Sequence, residues 1–135
     1  MDPKTVHIAR DSLSRSLQAE GFLDRFYELF MASSPDIRDK FKNTDFAKQK
    51  KVLSDSLFLM LSAAGTTEGF AHDQLASLTR KHSRSQLDIR PEFYETWLDC
   101  LIATLSEKDD QFSEEVEQAW RESLRGGIDL LSSGY

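Results

Sequence analysis

The sequence predicts an all-α fold in a single domain over residues 1–135, and three observations carry that expectation. Leucine occurs 17 times against eight valines and isoleucines together, a bias away from β-branched residues. Only six glycines and three prolines interrupt the chain. Between those interruptions, apolar residues recur at three- and four-residue spacing, the period of a helix with one buried face. A chain of 135 residues suits one domain and leaves little room for a separate cofactor lobe.

The elements follow in order. Asp2-Pro3 reads as an N-cap followed by a proline in the first turn, and Val6, Leu13 and Leu17 mark the apolar stripe of the helix it opens. Gly21 ends or bends that helix. Phe22, Phe26, Tyr27, Phe30 and Met31 predict a second helix, stopped at Ser33-Ser34-Pro35, where Ser34 caps a short third helix begun by Pro35. Residues 41–45, with Asn, Thr and Asp, read as a loop. Phe46, Leu53, Leu57, Met60, Leu61 and Ala64 then define one face of a long helix closed by Gly65-Thr66-Thr67. A shorter helix is expected from about His72, with Leu75, Leu78 and His82 in line, and Ser83 to Arg90 forms a polar connection. Pro91 opens a helix with a wide apolar face of Phe93, Tyr94, Trp97, Leu98, Leu101, Ile102 and Leu105. Ser113 caps the last helix, which presents Val116, Trp120, Leu124, Ile128 and Leu131. No segment alternates in the manner of a strand.

Composition also excludes functions. A formal charge of -6 argues against a nucleic-acid-binding module, which presents a basic face. No run approaches the ~18 apolar residues of a membrane helix, and Met1 to Ser12 is too polar for a secretory signal, so a cytoplasmic protein is expected. The single cysteine, Cys100, permits neither an internal disulfide nor a multi-cysteine metal site.

Three polar residues fall on apolar stripes. Gln49 lies three residues after Phe46 and four before Leu53, whereas Lys48 lines up with Val52 and Ser56 on the flank. His82 follows Leu78 by four. Tyr27 sits in the patch of Phe26, Phe30 and Met31, where its hydroxyl needs a buried partner. Individually, each has an ordinary structural explanation: a helix-terminal histidine caps carbonyls, a glutamine sits at a solvent boundary, a tyrosine fills a core. His7 and His72 stand without a donor cluster.

The order and spacing of these features resemble the globins, in particular bacterial single-domain globins with three-over-three helical packing, and the resemblance runs from the Pro3 helix to the Leu131 helix. Its most specific part is Tyr27, then Pro35 eight residues on, then Phe41 six further at the corner; Leu78-Thr79-Arg80-Lys81-His82 is similar to the family's Leu-x-x-x-His segment, and Ala119-Trp120 to a pair in its last helix. The resemblance implies a haem b (iron protoporphyrin IX) with His82 as the metal ligand and Phe41, Leu53, Leu57, Leu78, Ile89, Phe93 or Tyr94, Trp97 and Leu124 lining the slot. Leu87 competes with Ile89 for the haem edge. Arg80, Arg84, Lys48, Lys50 and Lys51 are the candidates for pairing with the propionates. On the opposite side Tyr27 and Gln49 would stabilise a bound gas, with Lys48 as the alternative to Gln49; a phenol or amide donor there slows oxygen release and favours carbon monoxide less.

The implied function is reversible binding of oxygen or another diatomic gas, carbon monoxide and nitric oxide included. Nitric oxide dioxygenation would need a separate reductase to restore ferrous iron. Two alternatives belong to other classes: gas sensing through a partner protein, and a haem-free globin-like interaction domain. A monomer or homodimer is expected, with no nucleic-acid or membrane partner.

Overall fold

The computed structural model describes residues 2–66, 68–83 and 88–135. Among them are seven helices and no strand: α1 (Pro3–Gln18), α2 (Phe22–Ala32), α3 (Pro35–Lys40), α4 (Phe46–Ala63), α5 (Phe70–His82), α6 (Glu92–Lys108) and α7 (Glu114–Ser133).

Local chemistry sets most of the boundaries. Asp2, Ser34, Asp45 and Ser113 each cap a helix by accepting a backbone N–H, as Asp45 does from Ala47 N at 3.1 Å; such a cap contributes about 1 kcal/mol. Pro3 and Pro35 stand where a missing N–H costs nothing. Gly21 turns the chain from α1 into α2 at φ 74°, a conformation that favours glycine. The start of α5 differs from expectation: it begins at Phe70, because Gly69 at φ 103° turns the chain one residue earlier. Phe70 is 80% exposed, so no apolar stripe marks that start. Pro91 stands just outside α6 as its cap residue.

The helices pack in two layers. In one, α4 lies against α5 and α1; in the other, α6 lies between α2 and α7, while α7 reaches across to α1, α4 and α5. The contact face of α1 is narrower and more polar than the predicted stripe: Ala9, Ser12, Leu13 and Ser16 are buried, whereas Val6 and Leu17 are only half-buried. Small residues there bring the backbone of α1 close to α7. Gly127 does the same for α7 against α4, since a Cβ at that position would stand 2.9 Å from the Met60 methyl. Leu13, Phe26, Leu57, Leu98, Leu101, Leu105, Trp120 and Leu124 are completely buried where the layers meet. At ~25 cal/mol per Å² of buried apolar surface, side chains of this size contribute about 1.5–3 kcal/mol each.

One ionic cluster ties the first helix to the far end of the fold. Asp109, at the end of α6, accepts hydrogen bonds from Ser12 Oγ at 2.6 Å and from Arg15 Nε at 2.6 Å. Burial raises the Asp109 carboxyl's proton affinity, but the bonds from Arg15 and Ser12 outweigh it and hold the group below the usual range.

Candidate functional site

The packing leaves a cavity of about 890 Å³, counting the space at its open mouth, bounded by α2, α3, α4, α5, α6 and the end of α7. The walls are largely apolar, and Tyr27, Lys40, Gln49, Ser56, His82 and Tyr94 are the polar residues that reach it.

His82 enters from the last turn of α5. Its Nδ1 lies 2.9 Å from the Leu78 carbonyl oxygen one turn earlier. A carbonyl only accepts, so Nδ1 carries the proton and donates; when the ring is neutral, Nε2 is left as a lone-pair donor. Burial lowers the ring's proton affinity, the Leu78 bond partly opposes this, and the neighbouring Lys81 charge lowers it further. The structure therefore holds a neutral imidazole, oriented by a backbone acceptor, on a cavity wall. That is the form in which histidine binds a metal.

Tyr27 on α2 and Gln49 on α4 meet elsewhere on the wall. The Gln49 side-chain amide donates to the Tyr27 hydroxyl at 3.2 Å, and that hydroxyl donates in turn to the Gln49 backbone carbonyl at 3.4 Å. Tyr27 is 4% exposed, and burial pushes its pKa up to about 12 against a smaller lowering by Gln49, so the phenol stays protonated at neutral pH. Phe41 and Phe46 hold the ring edge-on, with centroids 5.6 and 5.4 Å away. Phe46 is thus a positioning residue that the helical stripe alone marked only as core.

The remaining sequence candidates divide. Phe41, Leu53, Leu78, Ile89, Phe93 and Trp97 line the cavity, and both Phe93 and Tyr94 do so where one was expected. Leu57 and Leu124 do not: both are completely buried in the closed core. The reason is helical phase. The side of α4 toward the cavity runs through Gln49, Val52, Leu53, Ser56 and Met60, so Leu57 turns away into the packing beneath. The flank that carries Val52 and Ser56 is therefore part of the wall, while Lys48 at its start is exposed and does not line the cavity. Arg84 and Leu87 lie outside the described residues.

Among the basic candidates, Lys50 pairs with Asp24 at 2.9 Å, Lys51 pairs with Asp55 at 2.9 Å, and Arg80 is exposed. The basic residue that does line the cavity is Lys40, at the end of α3, and it was not among the candidates. Its signal was available: it directly precedes Phe41 and sits in the last turn of a helix that Pro35 starts. Arg90 does not line the cavity but lies 4.6 Å over the ring of Phe93, which does, and 2.9 Å from Asp36.

Tyr94 adds a feature that periodicity could not show. Its hydroxyl is buried without a hydrogen-bond partner among the described residues, its ring centroid is 6.5 Å from that of His82, and burial pushes its pKa up to about 12. A buried hydroxyl left unpaired costs about 1–3 kcal/mol, so its place on the cavity wall beside His82 suits a site that receives a polar group. These residues fit a haem: one neutral imidazole donor, aromatic and aliphatic walls, the Tyr27-Gln49 hydrogen-bonding pair, and the Lys40 cation on the wall. Among the described residues no cluster of three or more His, Cys, Asp or Glu forms another metal site, and no helix is long and apolar enough to cross a membrane.

Comparison with known proteins agrees with the architecture. A protein from Pseudomonas aeruginosa PAO1, PA3967, described as structurally highly homologous to a human hemoglobin, superposes with a TM-score of 0.91 at 37% sequence identity, over 97% of this chain and 98% of that one. No curated protein matches the sequence. The globin family model matches residues 24–128, which include Tyr27, Phe41, Gln49, His82 and Tyr94. The chain belongs to the globin family.

Proposed function

We propose that the protein holds haem b in the cavity between His82 and the Tyr27-Gln49 pair and binds oxygen or another diatomic gas reversibly. Globins as a family bind diatomic gases at a haem, and the observation that carries the reading to this chain is the state of His82. It is neutral, half-buried and fixed by the Leu78 carbonyl so that Nε2 is the free donor. When bound, the haem supplies an iron with one position for a protein ligand and one for a gas.

The chain's own residues do the rest. His82 supplies the protein ligand, and its Nδ1–H bond to Leu78 fixes ring rotation and tautomer. Phe41, Phe93, Leu53 and Trp97 exclude water from the slot, which strengthens every hydrogen bond made inside it. Tyr27 keeps its proton and, by turning it from the Gln49 backbone carbonyl, would offer it to a ligand that gains negative charge, while the Gln49 amide continues to donate to the phenol oxygen. Lys40 on the cavity wall, and Arg90 beside Phe93, would meet two cofactor carboxylates. The same donor pair suits nitric oxide dioxygenation, for which electrons must come from a separate reductase.

Titration of purified protein with hemin, followed in the visible region, tests this reading. Saturation at one equivalent, and its loss in His82→Ala, is expected. A protein that takes up no hemin would instead be a haem-free globin-like domain.

A further inference from the structure

A second cavity opens between the end of α4, α5 and α7, with about 400 Å³ of room for water-sized molecules, within the ~300–1,000 Å³ of small-molecule sites. It shares one lining residue, Met60, with the cavity that His82 enters, and the rest of its wall is built from other side chains. The sequence makes this gap by leaving side chains out. Ala63, Ala64 and Gly65 close α4, and Gly126 and Gly127 line the same space from α7; a Cβ on Gly126 would meet no atom within 4 Å.

Burial divides the wall. Met60, Ala63, Leu75, Ser123 and Gly127 are buried at the inner end, whereas Thr66, His72, Asp129 and Ser133 are exposed or half-buried toward the mouth. Ser123 is the polar side chain of the inner group: it is 2% exposed, and its Oγ has no hydrogen-bond partner among the described residues. Helical hydroxyls elsewhere in the fold satisfy themselves by bonding back one turn, as Thr79 Oγ1 does to the Leu75 carbonyl at 3.0 Å and Thr104 Oγ1 to the Cys100 carbonyl at 2.7 Å. Ser123 does not. Ser16 and Trp120 also hold an unpartnered buried polar atom, but they line neither cavity. A buried hydroxyl without a partner carries a desolvation cost that a ligand's polar group would remove.

The chemistry of the wall selects that ligand. A buried water is held by about three hydrogen bonds, and the inner side chains offer a water one such partner. A molecule with an apolar body and a single polar group suits the inner end better. The Asp129 carboxylate on the lining disfavours an anion, and among the described residues no lysine or arginine lines the cavity to offset it. No acidic side chain stands at the inner end to hold a cation. The Met60 thioether is flexible and makes favourable contacts with aromatic rings. An apolar cavity of ~150 Å³ accepts a benzene ring, so this one admits one or two rings.

We propose that this cavity is a second ligand site, for a small uncharged phenol or cyclic alcohol of one or two rings, whose hydroxyl bonds to Ser123 while its ring packs on Met60 and Leu75. The site stands independently of the haem reading, because the two cavities have only Met60 in common.

The test titrates the isotopically labelled protein, after addition of one equivalent of hemin and carbon monoxide, with p-cresol and with p-xylene, which replaces the hydroxyl by a methyl of similar size. Amide shifts locate each ligand. Saturable shifts clustered at Ala63, Leu75, Ser123 and Gly127 are expected for cresol. Ser123→Ala should weaken cresol about three- to tenfold and leave xylene unchanged or tighter. Gly126→Leu, which has open space at its Cβ, should close the cavity and weaken both ligands tenfold or more, with helical circular dichroism confirming that each variant is folded. Shifts that do not saturate, shifts centred on Tyr27, Phe41 and Trp97, equal weakening of cresol and xylene by Ser123→Ala, or unaltered binding in Gly126→Leu would overturn the proposal. Tighter binding of p-toluate than of cresol would overturn the uncharged class. A protein that takes up no hemin defeats the haem reading alone, and the same shift map still distinguishes the two cavities.

Discussion

The Gln49 side-chain amide donates to the Tyr27 hydroxyl at 3.2 Å, joining two residues 22 positions apart on one wall of the cavity. The glutamine amide is the donor in that bond, and the tyrosine's own proton goes to the Gln49 backbone carbonyl at 3.4 Å, a long bond with which a ligand in the cavity would compete. Replacing Tyr27 by Phe removes that proton and keeps the ring between Phe41 and Phe46. A hydrogen bond of about 1–1.5 kcal/mol corresponds to an oxygen dissociation rate faster by roughly five- to tenfold. Stopped-flow displacement of oxygen by carbon monoxide measures this, and an unchanged rate would remove Tyr27 from its role. In Gln49→Leu the phenol loses its orienting donor, and a smaller acceleration of the same sign is expected.

The proton balance at His82 predicts a pH dependence. Its folded-state proton affinity is lowered, chiefly by burial, so between that depressed value and the unfolded value of about 6.5 the unfolded chain binds more protons than the folded one. The contribution of neutral His82 to apoprotein stability is therefore complete above about pH 6.5 and declines as the pH falls toward the folded value. Urea unfolding of the apoprotein from pH 7.5 to 5 should show the decline in the wild type and a shallower one in His82→Leu. Parallel pH profiles for the two proteins would contradict the assignment.

Asp109 titrates lower and holds a different part of the fold. With its carboxylate fully buried and Arg15 a quarter exposed, Asp109→Asn should cost about 2–3 kcal/mol, below the ~3–5 of a wholly buried pair. The depressed carboxyl makes this contribution present above its unfolded pKa of about 3.9 and lost as the pH falls through the folded value. Denaturant midpoints at pH 7 and pH 3 test both statements: the variant's deficit should be smaller at pH 3 than at pH 7.

Gly134 marks where the end of α7 meets the His82 helix. A Cβ there would lie 2.1 Å from the Thr79 Cγ2, and Thr79 is buried one turn before His82. Gly134→Ala should therefore destabilise the protein by about 1–3 kcal/mol, as overpacking does, and the reciprocal Thr79→Ser should recover part of the loss by removing the obstructing methyl. Thermal unfolding of the single and double variants measures the coupling; strict additivity would show that the contact relaxes freely.

Helix identity was legible because caps and periodicity are local. Ser34-Pro35 and Ser113 name their helices' starts in single residues, and each caps as the spacing predicts; Asp45, read only as the end of a loop, caps α4 as well. The boundary that escaped, Phe70, depends on a glycine conformation and has an exposed aromatic where a buried stripe should start. Within the site, Tyr27, Gln49 and His82 were conspicuous as polar residues on apolar stripes, and the fold brings all three to one cavity. The division between cavity wall and closed core was not visible: Leu53 and Leu57 share a stripe, and only the placement of α4 against its neighbours turns one toward the cavity and the other away. Lys40 and the partnerless Tyr94 hydroxyl depend likewise on which helices meet across the gap.

The most direct test of the central claim is the visible spectrum of the purified protein and its His82→Ala variant in ferric, ferrous and ferrous-carbonyl forms after addition of one equivalent of hemin. The wild type should show an intense Soret band in each form, with a shift on carbon monoxide that marks a reversible gas site, and the variant should lose the cofactor on gel filtration. A wild-type protein without a Soret band, or a variant that retains haem with an unaltered spectrum, would contradict the assignment of His82 as the iron ligand.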